Sequence, residues 1–131
     1  MSDSADRGQI MELMQRYVDV TDSGTGEEWA QLFDAEGEFH AFDRVFKGHE
    51  RLERFIGRAP KGVHACTDVD IQIDQPGRRG RASSHFRFEA ADGESHSRGS
   101  YIDDLIKTDR GWLIAVRRVE FAATGPDALS E

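Results

Sequence analysis

Over residues 69–74 and again over 82–89 the chain alternates apolar and polar side chains, with a turn signal closing each segment. Val69, Ile71 and Ile73 alternate with Asp70, Gln72 and Asp74, and Ala82, Ser84, Phe86 and Phe88 alternate with Ser83, His85, Arg87 and Glu89. Period-two alternation of this length describes strands with one face on a core and the other in solvent. Pro76-Gly77, Asp92-Gly93 and Asp109-Arg110-Gly111 separate the segments and read as hairpin turns. Two more strands are predicted, over 101–106 and from 112 to about 121. A meander of long antiparallel strands with one apolar face needs a second layer to cover that face.

The first part of the chain supplies the layer. Ile10, Leu13, Met14, Tyr17, Val18 and Thr21 recur at helical spacing. They predict a helix over about residues 6 to 22, with Asp6 and Gln9 as a capping box. Gly24 and Gly26 break it. Thr25-Gly26-Glu27-Glu28 is a second capping box, opening a short helix whose apolar face is Trp29, Leu32 and Phe33. A third helix starts near Gly48, buries Leu52, Phe55 and Ile56, and stops at Pro60 and Gly62. A short hairpin is expected from 39–42 and 45–47 around Asp43-Arg44, and the tail after Thr124 is expected to be loose. The layout is α+β, one domain over 1–131 with its core at about 8–122. It predicts a curved antiparallel sheet with three helices over its concave face, a cone enclosing a cavity.

The formal net charge of -8 argues against nucleic acid, whose binding needs Lys and Arg to displace counterions, and against an anionic membrane surface. No apolar run approaches the roughly 20 residues of a membrane span. The polar, acidic start does not read as a signal peptide, and Cys66 is the only cysteine. A cytoplasmic location is expected.

Several side chains stand out chemically. Asp22 falls at the edge of the first helix's apolar stripe, near Val18, where it is either a solvated helix end or a carboxylate at a pocket mouth. Tyr17, in mid-stripe, is either a core tyrosine bonded to backbone or a hydrogen-bond donor to a substrate oxygen. Trp29 and Phe33 are expected in the core or the cavity wall, as are Tyr101 and Trp112. Val18, Phe55, Phe86 and Cys66 complete the expected pocket wall. His85, on the polar side of its strand, is a candidate second acid/base group. Asp103 and Asp104 point to opposite faces, and the inward one needs a cation, with Arg98, Arg117 and Arg118 as candidates. His40, His49 and His96 have no metal-ligand spacing, and neither a metal nor a cofactor is expected. Arg78-Arg79-Gly80-Arg81 reads as a solvated hairpin.

The chain resembles the SnoaL-like branch of the nuclear transport factor 2-like superfamily. The resemblance rests on Ile10 through Asp22 followed by Trp29-Ala30-Gln31-Leu32-Phe33, on Phe46-Lys47-Gly48-His49-Glu50, and on His64 opening a strand. Gly99-Ser100-Tyr101-Ile102-Asp103-Asp104-Leu105 and Asp109-Arg110-Gly111-Trp112 extend it over roughly residues 8 to 122. It implies a cystatin-like α+β barrel. In the scytalone dehydratase and hexachlorocyclohexane dehydrochlorinase branch, an aspartate ending the first helix pairs with a histidine starting the third strand, and Asp22 and His64 match those positions. Tyr17 and His85 are candidates for the dehydratase's tyrosine and second histidine. The dehydrochlorinase's arginine would fall near Lys107 or Thr108, so that cation is altered or absent here.

The resemblance therefore implies a cofactor-independent lyase or isomerase acting on a small hydrophobic molecule, with His64 as general base and Asp22 orienting it. It also implies a homodimer through the sheet face. Two other readings stand beside it: a non-catalytic binding or accessory domain of the same fold, and a ketosteroid-isomerase-like enzyme with Asp103 as base.

Overall fold

The computed structural model describes residues 3–130. In chain order the elements are α1 (Asp3–Ser23), α2 (Gly26–Ala30), β1 (Phe33–Ala41), β2 (Arg44–Lys47), α3 (His49–Arg58), β3 (Gly62–Gln75), β4 (Arg79–Ala90), β5 (Ser97–Thr108) and β6 (Gly111–Thr124). The strands make one curved sheet in the order β2-β1-β6-β5-β4-β3. The α+β layout is as expected, with two corrections. β1 and β6 run parallel, whereas the other neighbours are antiparallel. No tight turn joins β1 to β6, so nothing local forces them to oppose each other. The sheet is also open, not a closed barrel: β2 and β3 are its edges, and the chain passes between them through α3.

Ile10, Leu13, Met14 and Tyr17 of α1, Trp29 of α2 and Leu52 of α3 pack with Phe39, Ala82, Phe86, Tyr101, Leu105 and Ile114 of the sheet in one buried cluster. The alternation in β4 decides which face is covered: Ala82, Ser84, Phe86 and Phe88 are buried, and Arg81, His85, Arg87 and Glu89 are exposed.

Thr25 caps α2 in the expected reciprocal box, its hydroxyl accepting from Glu28 N–H and the Glu28 carboxylate from Thr25 N–H. Asp6 does not cap α1. It lies inside the helix, buried, and accepts from the Gly77 N–H (2.8 Å), Trp112 Nε1 (3.1 Å) and Lys107 Nζ (3.5 Å). The Gly77 bond is the main reason its carboxyl titrates below the usual range. Phe33 starts β1 and does not extend α2, because the carbonyl of Leu32 already accepts from Ile114 N–H. The tail after Thr124 contacts the sheet. Gly125 N–H donates to the His96 carbonyl, Arg98 and Arg87 donate to the carbonyls of Ala128 and Leu129, and Ala128 is buried.

Candidate functional site

The open end of the fold holds a cavity of about 830 Å³ between α3, the β1–β2 hairpin and the sheet. Its interior is aromatic, with Tyr17, Trp29, Phe39, Phe86 and Tyr101 all buried in the lining. His64 is the titratable ring that lines this space from β3.

Asp22 stands in the last turn of α1, where the helix dipole disfavours an anion and no basic side chain offsets it. What it gains there comes from β3. The carboxylate accepts two hydrogen bonds from one residue: Oδ2 from the backbone N–H of His64 at 2.9 Å, and Oδ1 from His64 Nδ1 at 2.6 Å. The two contacts fix both the strand end and the ring. A carboxylate only accepts, so the Nδ1 contact puts the neutral ring's proton on Nδ1 and leaves a lone pair on Nε2. His64 also stacks on Phe88 of the adjacent strand, with ring centroids 4.4 Å apart. Both side chains are about four-fifths buried, at 18% and 19% exposure. Burial pushes the His64 pKa below 6.5; the Asp22 contacts oppose this and the nearby Arg117 charge reinforces it. The imidazole is neutral at pH 7.

Behind the dyad lies a second polar group that the alternation does not announce. Arg117 is 1% exposed and Asp103 is fully buried. They form a bidentate pair, Nε to Oδ1 at 2.7 Å and Nη2 to Oδ2 at 2.6 Å. The guanidinium carbon lies 4.1 Å from the Tyr17 ring centroid and 4.0 Å from that of Tyr101. The pair neutralises the cation and the two rings replace its water, and its pKa is raised. Burial raises the Tyr17 and Tyr101 pKa values too, so both phenols keep their protons.

The register explains why Arg117 faces inward. From the β5–β6 turn, Trp112 and Ile114 point to the core, and unbroken alternation would continue with Val116 and Arg118. A bulge between Asp104 and Leu105 leaves Ala115 unpaired and sets Asp103 opposite Arg117 and Asp104 opposite Val116. Arg118 and Asp104 pair on the other face at 3.0 Å. A mid-strand acid with a cation on the next strand was a legible signal. The bulge that chose Arg117 was not.

The predicted site residues separate into two sets. Asp22 and His64 meet, and Tyr17, Trp29, Phe55, Phe86 and Tyr101 line the cavity with His64. Val18, Phe33, Cys66 and His85 are outside its lining. Val18 is one step around α1 from Tyr17 and half-exposed. Phe33 is fully buried under Trp29, 5.0 Å between centroids. Cys66 shares the His64 face of β3 but lies further along the strand, half-buried. His85 is on the solvent side of β4 and bonds Asp68 at 2.9 Å, so its second acid/base role is withdrawn. So is the role of Asp103 as a base, since both its oxygens are held by Arg117. His40, His49 and His96 each take a local partner: Glu38, the Phe33 carbonyl and the Ala90 N–H. Among the described residues no three His, Cys, Asp or Glu side chains gather in a metal-ligand group. No described helix is long and apolar enough to cross a membrane.

Comparison with known proteins agrees with the architecture. An Asp-to-Asn variant of Rv3472 from Mycobacterium tuberculosis, a protein of unknown function, is 29% identical, with 98% of this chain and 79% of that one covered and a TM-score of 0.78. A candidate scytalone dehydratase from Novosphingobium aromaticivorans is 19% identical over 93% and 87% of the two chains, with a TM-score of 0.77. A type 2 hexachlorocyclohexane dehydrochlorinase, LinA, is 13% identical over 92% and 87%, with a TM-score of 0.75. At those identities the last two speak for the fold alone. No match is found among curated proteins. The sequence matches the SnoaL-like domain over residues 2–118, and the chain belongs to the SnoaL-like family.

Proposed function

We propose that the protein is a cofactor-independent lyase or isomerase that removes a proton from a small, largely apolar organic molecule. The observation that carries this is the two-point grip of Asp22 on His64, which leaves Nε2 of a neutral imidazole as the unpartnered nitrogen of a residue lining an aromatic cavity. Nε2 takes a proton from a carbon next to a carbonyl or opposite a leaving group, and the Asp22 carboxylate stabilises the imidazolium that forms. Tyr17, protonated and in the lining, donates a hydrogen bond to the oxygen on which charge develops. Elimination, isomerisation and cyclisation share this first step, and the fold likeness to a dehydrochlorinase is in keeping with it.

The step can be followed without knowing the natural substrate. In D2O, 2-tetralone exchanges its α-protons for deuterium, which is read by proton NMR. The wild type should speed exchange above the buffer rate, and His64→Ala should return it to that rate. Equal exchange by both proteins would overturn the proposal.

A further inference from the structure

The cavity mouth carries a charge pattern opposite to that of the chain. The whole sequence has 17 Lys and Arg against 25 Asp and Glu. The charged side chains in the lining are instead Arg44, Arg51, Arg54, Arg58 and Lys61, against the single acid Glu94. All six are exposed, whereas the aromatic interior is buried, so the cations form the mouth.

Three of these cations share one stripe of α3. At about 100° per residue, Arg51, Arg54, Phe55 and Arg58 fall on one side of the helix, and Glu53 falls on the opposite side. Like charges at this spacing repel and destabilise a helix. Arg54 is compensated by Glu50 at 2.7 Å. Among the described residues Arg51, Arg58 and Lys61 have no ion-pair partner. Arg58 gains from the helix C-terminus beside it, but Arg51 stands in the first turn, where the dipole disfavours a cation. Among the described residues no ion pair accounts for Arg51 and Lys61, which line the opening of an aromatic cavity with Arg58.

We infer that the ligand of this site is amphipathic: an apolar ring system seated on the aromatic interior, carrying a carboxylate or phosphate that lies at the mouth against Arg51, Arg58 and Lys61. This deepens the proton-transfer reading by naming the substrate class of the same cavity, and it rests on that reading only for what happens after binding. The anionic group would sit away from Asp22, so the two negative charges are kept apart while the ring reaches His64.

The test uses three ligands with one ring: neutral 2-naphthol, 2-naphthoate and 2-naphthyl phosphate, titrated by isothermal calorimetry into the wild type and an Arg51→Gln/Arg58→Gln/Lys61→Gln variant. One or both anions should bind the wild type about tenfold or more tighter than naphthol, the sum of several exposed charge contacts. The more favoured anion tells carboxylate from phosphate. That advantage should vanish in the triple variant, and in the wild type at about 1 M NaCl, where the Debye length falls to ~3 Å. Naphthol affinity should hold in both cases. Equal binding of all three ligands, no binding by any, or an anion preference that survives the triple substitution would each overturn the inference. The wild-type salt series decides the matter even if the variant fails to fold. An anion preference without His64-dependent exchange of 2-tetralone removes the proton-transfer reading alone; His64-dependent exchange without the preference removes this one alone.

Discussion

Asp22→Asn changes one atom and should change which nitrogen of His64 carries the proton. The carboxylate accepts from both the backbone N–H and Nδ1 of His64. An asparagine has one oxygen and one NH2, and can satisfy only one of those donors as an acceptor. With its oxygen on Nδ1–H, its NH2 faces the backbone N–H, and the unmet donor costs about 1–3 kcal/mol. With its oxygen on the backbone N–H, its NH2 donates to Nδ1 and the ring moves its proton to Nε2. The second arrangement keeps two hydrogen bonds and wins. Both are now neutral, not charge-assisted, so stability falls by about 1–3 kcal/mol and the fold survives. The nitrogen facing the cavity has become a donor, and the positioned base is gone. Since such a base contributes about 10²–10⁴-fold, exchange of 2-tetralone should fall by at least ~10²-fold. Losing the Asp22 contacts, which raise the His64 pKa, should lower that value further. Long-range nitrogen–proton NMR on histidine-labelled protein reads the tautomer, and urea unfolding reads the stability. A wild-type His64 protonated on Nε2, or a variant that keeps the Nδ1–H form, would contradict this tautomer assignment.

Two further outcomes follow from buried charge. Because burial lowers the His64 pKa from 6.5, exchange should be level at neutral pH and fall along an acid limb centred below 6.5. The sign for stability is the same: between the folded value and 6.5 the unfolded chain binds more protons, so this contribution is complete above 6.5 and is lost as pH falls through that window. A limb centred above 6.5 contradicts the burial argument. Asp103→Asn leaves the Arg117 charge buried without its counter-charge and should cost about 3–5 kcal/mol in urea unfolding, and a loss below ~1 kcal/mol would mean that water reaches the guanidinium.

The elements whose reasons are local were legible. The α1 stripe, the Thr25 box, the β3–β4 alternation and the hairpin turns depend on neighbours a few positions away, and those neighbours are visible in the chain. The misses have distant causes. Asp6 reads as a cap until Gly77 and Trp112 are known to converge on it. The carbonyls of the tail likewise take donors from far back in the chain, Arg87 and Arg98. His85 was a candidate because alternation says only that it opposes Phe86, not which side the helices cover.

The candidate site divides along the same line. The residue types are written in the chain: a carboxylate ending an apolar helix, a histidine opening a strand, a mid-strand acid and aromatics at core spacing. Family resemblance added that Asp22 and His64 are a pair. The rest came from the folding of the chain in three dimensions. It brought the end of α1 to within 2.6 Å of a ring forty-two positions away. It used one unpaired residue in β6 to turn Arg117 inward onto Asp103. It lined the cavity mouth with cations from α3 and the segments around it, in a chain of net negative charge. Hydrogen bonds and ion pairs act over a few ångströms of space, whereas the pattern in a chain constrains only the few residues on either side.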